Sequence, residues 1–163
     1  NVTCGPCPDG VNCVNGIMDG DELYIDCGGA NCPECEAILT WKANGTTLVA
    51  EVSVTAELDG TTLNVGGLTA TGAGLALVLE QPITGWVDGA QVQCSMASGS
   101  SCSYADPAAN GYSTNFGGGV TVEISYIDPQ PGGFVVGTYM GTVVGMTGES
   151  MNIAQGAFQM EIQ

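Results

Sequence analysis

Apolar and polar residues alternate along three stretches of this chain. Val52, Val54 and Ala56 interleave with Glu51, Ser53, Thr55 and Glu57. Val120, Val122, Ile124 and Tyr126 interleave with Thr121, Glu123 and Ser125, and Phe158, Met160 and Ile162 with Gln159 and Glu161. A period of two places one set of side chains against a core and the other in water, which is the mark of a half-buried antiparallel strand. Turn signals separate these stretches: "NG" at 44–45, "DG" at 59–60 and "DPQPGG" at 128–133. No 3.6-residue periodicity is sustained, and 26 glycines are spread along the chain. The pattern predicts an all-β fold over residues 37–163, an antiparallel β-sandwich of about eight to ten strands.

Residues 1–36 follow another pattern. They hold Cys4, Cys7, Cys13, Cys27, Cys32 and Cys35, six of the eight cysteines, and the acids Asp9, Asp19, Asp21, Glu22, Asp26, Glu34 and Glu36. Large apolar residues are few. A segment like this cannot build its own core and needs staples, ions or docking onto a larger body. The chain is therefore expected to divide into a disulfide-rich, mostly irregular acidic head over 1–36 and the β-sandwich over 37–163.

Charge narrows the function. Seventeen acids face a single cation, Lys42, with no arginine or histidine, giving a net charge of −16. Nothing in such a chain can neutralise phosphates, so nucleic acid is excluded as a partner, and anionic membranes are disfavoured. Divalent cations are favoured. No apolar run approaches the roughly 18 residues of a membrane-spanning helix. An even number of cysteines reads as up to four disulfides formed in an oxidising compartment. The expected location is secreted and extracellular, including the cell surface. The chain opens on Asn1 without a visible signal peptide and is expected to be a mature, processed form.

The cysteines and acids carry the candidate chemistry. "CGPC" at 4–7 has the spacing of a thioredoxin-type redox pair, but it lacks a βαβ context and sits among acids that would raise a thiol pKa. "CGPC" with "CPEC" at 32–35 has a zinc-ribbon spacing; Cys13 and Cys27 would then be left over. A hard ion suits the surrounding carboxylates better. Asp19, Asp21, Glu22 and Asp26 lie in "DGDELYID", where Gly20 permits a tight turn, and calcium takes six to eight oxygen ligands of this kind. The EF-hand spacing is absent. Calcium is the ion expected there, against the plainer reading of a solvated acidic turn. In the body, Cys94 and Cys102 enclose "SMASGSS" and are expected to pair with each other. Closing so short a loop stabilises by roughly 2–3 kcal/mol in the chain-entropy picture.

Two resemblances follow from these residues. "CVNGIMDGDELYIDCGGANCPEC", residues 13–35, resembles a cysteine-rich segment of secreted and surface proteins of Gram-negative bacteria. Cys13, Gly16, Ile17, Gly20, Asp21, Glu22, Asp26, Cys27, Gly28, Gly29, Cys32 and Cys35 match its pattern. The resemblance implies secretion and disulfides and no enzymatic activity; Cys4 and Cys7 lie outside it. The stretches "WKANGTTLVAEVSVTAELDGTTLNVGG" and "GTYMGTVVGMTGESMNIAQGAFQMEI" are similar to a family of small secreted or lipoprotein-type β-sandwich domains of uncharacterised function.

Three classes of function compete. Catalysis lacks the usual acid–base groups, and Glu51, Glu57 and Glu123 occupy solvent-facing strand positions, so no enzymatic activity is expected. A calcium-dependent carbohydrate-binding module would need an aromatic platform. Trp41 alternates with Leu39 and belongs in the core, which leaves Trp86 in "PITGWVDGA" as the candidate ligand-binding residue. The leading expectation is a structural or adhesive subunit that self-assembles head to tail, an open contact that generates filaments, through its head or through a terminal strand added to a neighbour's sheet edge. Lys42, the sole lysine, raises a further option, an internal Lys–Asn amide cross-link, against the plain reading of a solvent-facing strand residue.

Overall fold

A computed structural model describes Cys27, Cys32, Pro33 and residues 35–163. Ala37–Gln163 form one compact unit. It consists of ten antiparallel strands: β1 (Ile38–Ala43), β2 (Thr46–Val49), β3 (Val52–Asp59), β4 (Thr62–Leu68), β5 (Gly74–Glu80), β6 (Ala90–Cys94), β7 (Ser101–Ala105), β8 (Gly111–Ile127), β9 (Phe134–Gly145) and β10 (Ser150–Glu161). Among the described residues there is no helix.

All ten strands belong to one sheet, in the order β2-β1-β10-β9-β8-β7-β5-β4-β3, with β6 also pairing to β8. The all-β, antiparallel expectation holds. The sandwich does not: there are no two stacked sheets but a single, strongly curled half-barrel. Long strands interrupted by bulges explain the difference. The register shifts between Thr40 and Lys42, Ile153 and Gly156, Ser113 and Gly118, and Ile124 and Tyr126. Each bulge bends and twists the strand that carries it, so one sheet wraps its own concave face. The curl carries β3 round toward the end of the chain, where Ala56 forms a parallel bridge with Ile162 and the Gln163 N–H donates to the Ala56 carbonyl at 2.9 Å.

The core fills the concave face with Leu39, Trp41, Leu63, Leu79, Ile124, Phe158 and their neighbours. Alternation places Val120, Val122 and Ile124 inside, and likewise Phe158, Met160 and Ile162. It fails at two bulges. After Ile124 the shift turns Tyr126 half outward and buries Ile127. In β3 the ladder slips between Val52 and Thr55, with Ser53 at φ 51°, and Val52 is exposed although Ala56 is buried. The first hairpin uses Asn44 (φ 47°) and Gly45 (φ 85°), two left-handed residues whose twist matches that of the flanking strands.

Most of the expected head, including Cys4, Cys7, Cys13, Asp19, Asp21, Glu22 and Asp26, lies outside the described residues. Within the described part, Cys27 and Cys35 form a disulfide with Cα atoms 4.9 Å apart, and Cys32 is also disulfide-bonded.

Candidate functional site

The described surface offers a shallow groove at the Gly74 end of β5. Its volume is about 590 Å³, its walls are largely apolar, and no charged side chain lines it. Three local features build it. At the end of β4, Leu68 pairs with Gly74 and leaves 43% of its surface exposed. At the end of β7, Tyr104 stacks on Tyr112 of β8, with ring centroids 5.9 Å apart. Tyr104 also meets Trp41 edge to face at 6.3 Å, which ties the groove floor to the core. Finally, β8 breaks register: Ser113 pairs with Val144 but Gly118 pairs with Val143, so residues 114–117 loop out of the ladder. That loop lifts Phe116 to 47% exposure.

The break in β8 is firmly held. Thr114 is fully buried, and its Oγ1 accepts the Cys102 N–H at 3.1 Å. Gly118 has φ 79°, and a Cβ there would run into the Thr142 carbonyl, so glycine is required at this point. The expected Cys94–Cys102 disulfide is present, with a Cα–Cα distance of 5.7 Å. It joins β6 and β7, which share the same edge of β8: β7 pairs at Ser113 and β6 at Val120. The staple therefore spans the place where β8 loops out.

An acid beside this surface, Asp106, is bonded into its own loop. In the loop after β7, Asp106 accepts hydrogen bonds from the Asn110 side chain (2.8 Å) and from the Asn110 and Ala108 N–H groups (both 2.9 Å). Those bonds, the Asn110 side chain's foremost, hold its carboxyl below the usual range. Burial, then Asp106 and Tyr112, push the Tyr104 phenol upward, so it stays neutral.

A second feature lies at the opposite end of β5. The Gly85 N–H closes a turn on the Pro82 carbonyl at 2.8 Å and holds Ile83 entirely in solvent, with Val87 47% exposed. The loop is fixed to the body. The Gly89 N–H donates to the Ile124 carbonyl at 2.7 Å, and Asp88 Oδ1 accepts the Ile127 N–H at 2.9 Å. Trp86 anchors the loop from beneath. It is only 6% exposed, and its Nε1 is buried with no hydrogen-bond partner. Its ring presents no open face for a sugar to stack on, so the aromatic surface lies instead at Tyr112 and Phe116.

Other expected positions fall as follows. Glu51, Glu57 and Glu123 are exposed, and Lys42 is half-buried on β1 opposite Thr47 and Ala154, a register that sets neither an asparagine nor an acid across from it. Among the described residues no three His, Cys, Asp or Glu side chains gather as a metal site, and no helix is long and apolar enough to cross a membrane. The calcium candidates Asp19, Asp21, Glu22 and Asp26 lie outside the described residues. The disulfides point to an oxidising, extracellular setting.

Sequence reasoning passed over Leu68, Tyr104, Tyr112, Phe116 and Ile83. Two signals were present: the glycine run in "NFGGG" at 115–119, typical of a bulge, and Ile83 within the turn-forming "QPITG". Comparisons with protein-family models, with curated proteins and with solved structures each find no match, so the fold and the groove rest on this chain's own residues.

Proposed function

We propose that this chain is a non-enzymatic, secreted structural or adhesive subunit that assembles head to tail into an extracellular filament or cell-surface structure. The observation that carries the reading is the uncharged, apolar groove on a chain whose net charge is −16. Apolar surface left open on an otherwise acidic body marks an interaction site. Strand addition is the weaker route. The C-terminal strand is engaged within its own chain at Ala56, where it also covers part of the β3 edge, and the opposite edge of the sheet, β2, has only four residues. A few backbone hydrogen bonds at about 1 kcal/mol net each do not offset an association cost of roughly 4–15 kcal/mol. Side-chain burial has to supply the rest.

Negative-stain microscopy and sedimentation of the oxidised chain test the reading. Concentration-dependent growth into particles or fibres is expected, strengthened by salt that screens the acidic charge. A strict monomer at high concentration rejects it. The head's carboxylates add calcium to the proposal, and a higher melting temperature with calcium than with chelator is the expected result. One observation favours a second reading, a calcium-dependent carbohydrate-binding module: the Tyr112 and Phe116 rings border an open groove. A glycan array silent with and without calcium removes it.

A further inference from the structure

We infer that the groove bordered by Leu68, Tyr112 and Phe116 receives the Ile83 loop of a second copy of this chain. The inference rests on the assembly reading above and names its contact.

Four observations point to this occupant. The first is chemical fit. The groove is apolar and uncharged, and residues 82–87 of the loop, Pro-Ile-Thr-Gly-Trp-Val, are also uncharged. The second is electrostatic. Two copies carrying −16 each repel wherever acids face acids, so a stable contact must form where neither surface has one. No acid lines the groove and none lies within residues 82–87, while Asp106 and Asp88 flank them and keep their charge, so added salt should strengthen the contact. The third is preorganisation. The loop is held by the Pro82–Gly85 turn, the Gly89–Ile124 bond and buried Trp86, so little further ordering is needed to present Ile83 and Val87.

The fourth is placement. The groove gathers at the Gly74 end of β5, where Leu68, Gly74 and Ala105 pair, while the loop leaves β5 after Glu80, beside Thr62. Seven residues of strand separate the ends, roughly 20 Å at about 3.3 Å per residue. In this contact each copy's loop enters the groove of the next copy, while its own groove takes the loop of another; the sites lie at opposite ends of one strand, which leaves room for both neighbours. Such a heterologous contact repeats from one copy to the next and generates an open chain of subunits.

Complementation tests this directly, with the full oxidised chain throughout. Ile83→Asp removes the knob and keeps the groove; Phe116→Asp does the reverse. Ile83 lies wholly in solvent and Phe116 is 47% exposed, so circular dichroism should match the native chain in both, with an unchanged melting temperature for Ile83→Asp and a slightly lower one for Phe116→Asp. Each variant alone is expected to associate roughly tenfold or more weakly than native. Mixed in equal amounts, they should form dimers that do not elongate, since one intact loop meets one intact groove. Native assembly that persists in either variant, or a mixture that stays monomeric, overturns the inference while leaving the assembly reading in place. A native chain that is itself monomeric overturns both.

Discussion

The β9–β10 ladder and the β7–β8 junction are built from similar residues and do opposite work. From Gly156 opposite Tyr139 to Glu161 opposite Phe134 the ladder runs without a break, and every second side chain of β10 enters the core. Tyr139 and Phe158 lie over glycines: a Cβ at Gly156 would collide with the Tyr139 ring, and one at Gly137 with the Phe158 ring. The Tyr139 hydroxyl donates to the Thr40 carbonyl at 2.8 Å. At the junction, by contrast, residues 114–117 leave the ladder and Phe116 goes outward. In this ladder unbroken register delivers Tyr139 and Phe158 to the interior, where they stabilise the body. At this junction broken register delivers Phe116 to the surface, where it is free to recognise something else.

If that division is right, the largest loss of stability comes from the ladder. Phe158→Ala empties a fully buried ring position and should cost about 3–5 kcal/mol, read as a lower urea midpoint with an unchanged slope. A loss under about 1 kcal/mol would mean that the ladder is not the stabilising half. The junction has its own reinforcement, and removing it ranks next. Replacing both Cys94 and Cys102 by alanine should cost roughly 2–3 kcal/mol. Because the staple spans the place where β8 loops out, faster amide exchange should concentrate at residues 113–120 and spare β10.

A smaller effect separates the hydroxyl at Thr114 from its bulk. Thr114→Val keeps the shape but leaves the buried Cys102 N–H without its acceptor, at a cost of about 1–3 kcal/mol. Thr114→Ser retains the oxygen and should recover much of that loss. If valine and serine behave alike, the bond does not hold the junction.

The same contrast explains what the sequence disclosed. The ladder was legible because its side chains obey a period of two: Phe158, Met160 and Ile162 could be assigned to the core from spacing alone, as could Val120, Val122 and Ile124. Turns were legible where glycine follows Asn44 or Asp59, because few other residues accept those angles. Bulges were not. Each shifts every later side chain to the other face, as Val52, Tyr126 and Ile127 show, and no local propensity fixes where the slip falls. Curvature follows from the bulges, so a half-barrel could not be told from a sandwich. The groove was hidden for a further reason. Leu68, Tyr104 and Tyr112 are ordinary strand residues that become a surface only when three strand ends meet. Trp86 drew attention by its type, yet it anchors a loop whose exposed tip is the plainer Ile83.

The smallest predicted effect on stability is also the one that discriminates best between the two regions. Phe116 already has nearly half of its surface in water, so Phe116→Ser removes only part of a ring's buried area and should lower unfolding free energy by about 1–1.5 kcal/mol. Were Phe116 serving the fold as Phe158 does, the same truncation would cost about 3–5 kcal/mol. Its larger effect should appear in sedimentation, where loss of an aromatic wall weakens association between copies although the monomer melts only slightly lower. Phe158→Ala should show the reverse order, a large fall in stability with association preserved below the new melting point. A Phe116→Ser chain that both melts and assembles like the native one would place this ring among the incidental apolar groups of any protein surface and remove the functional half of the contrast.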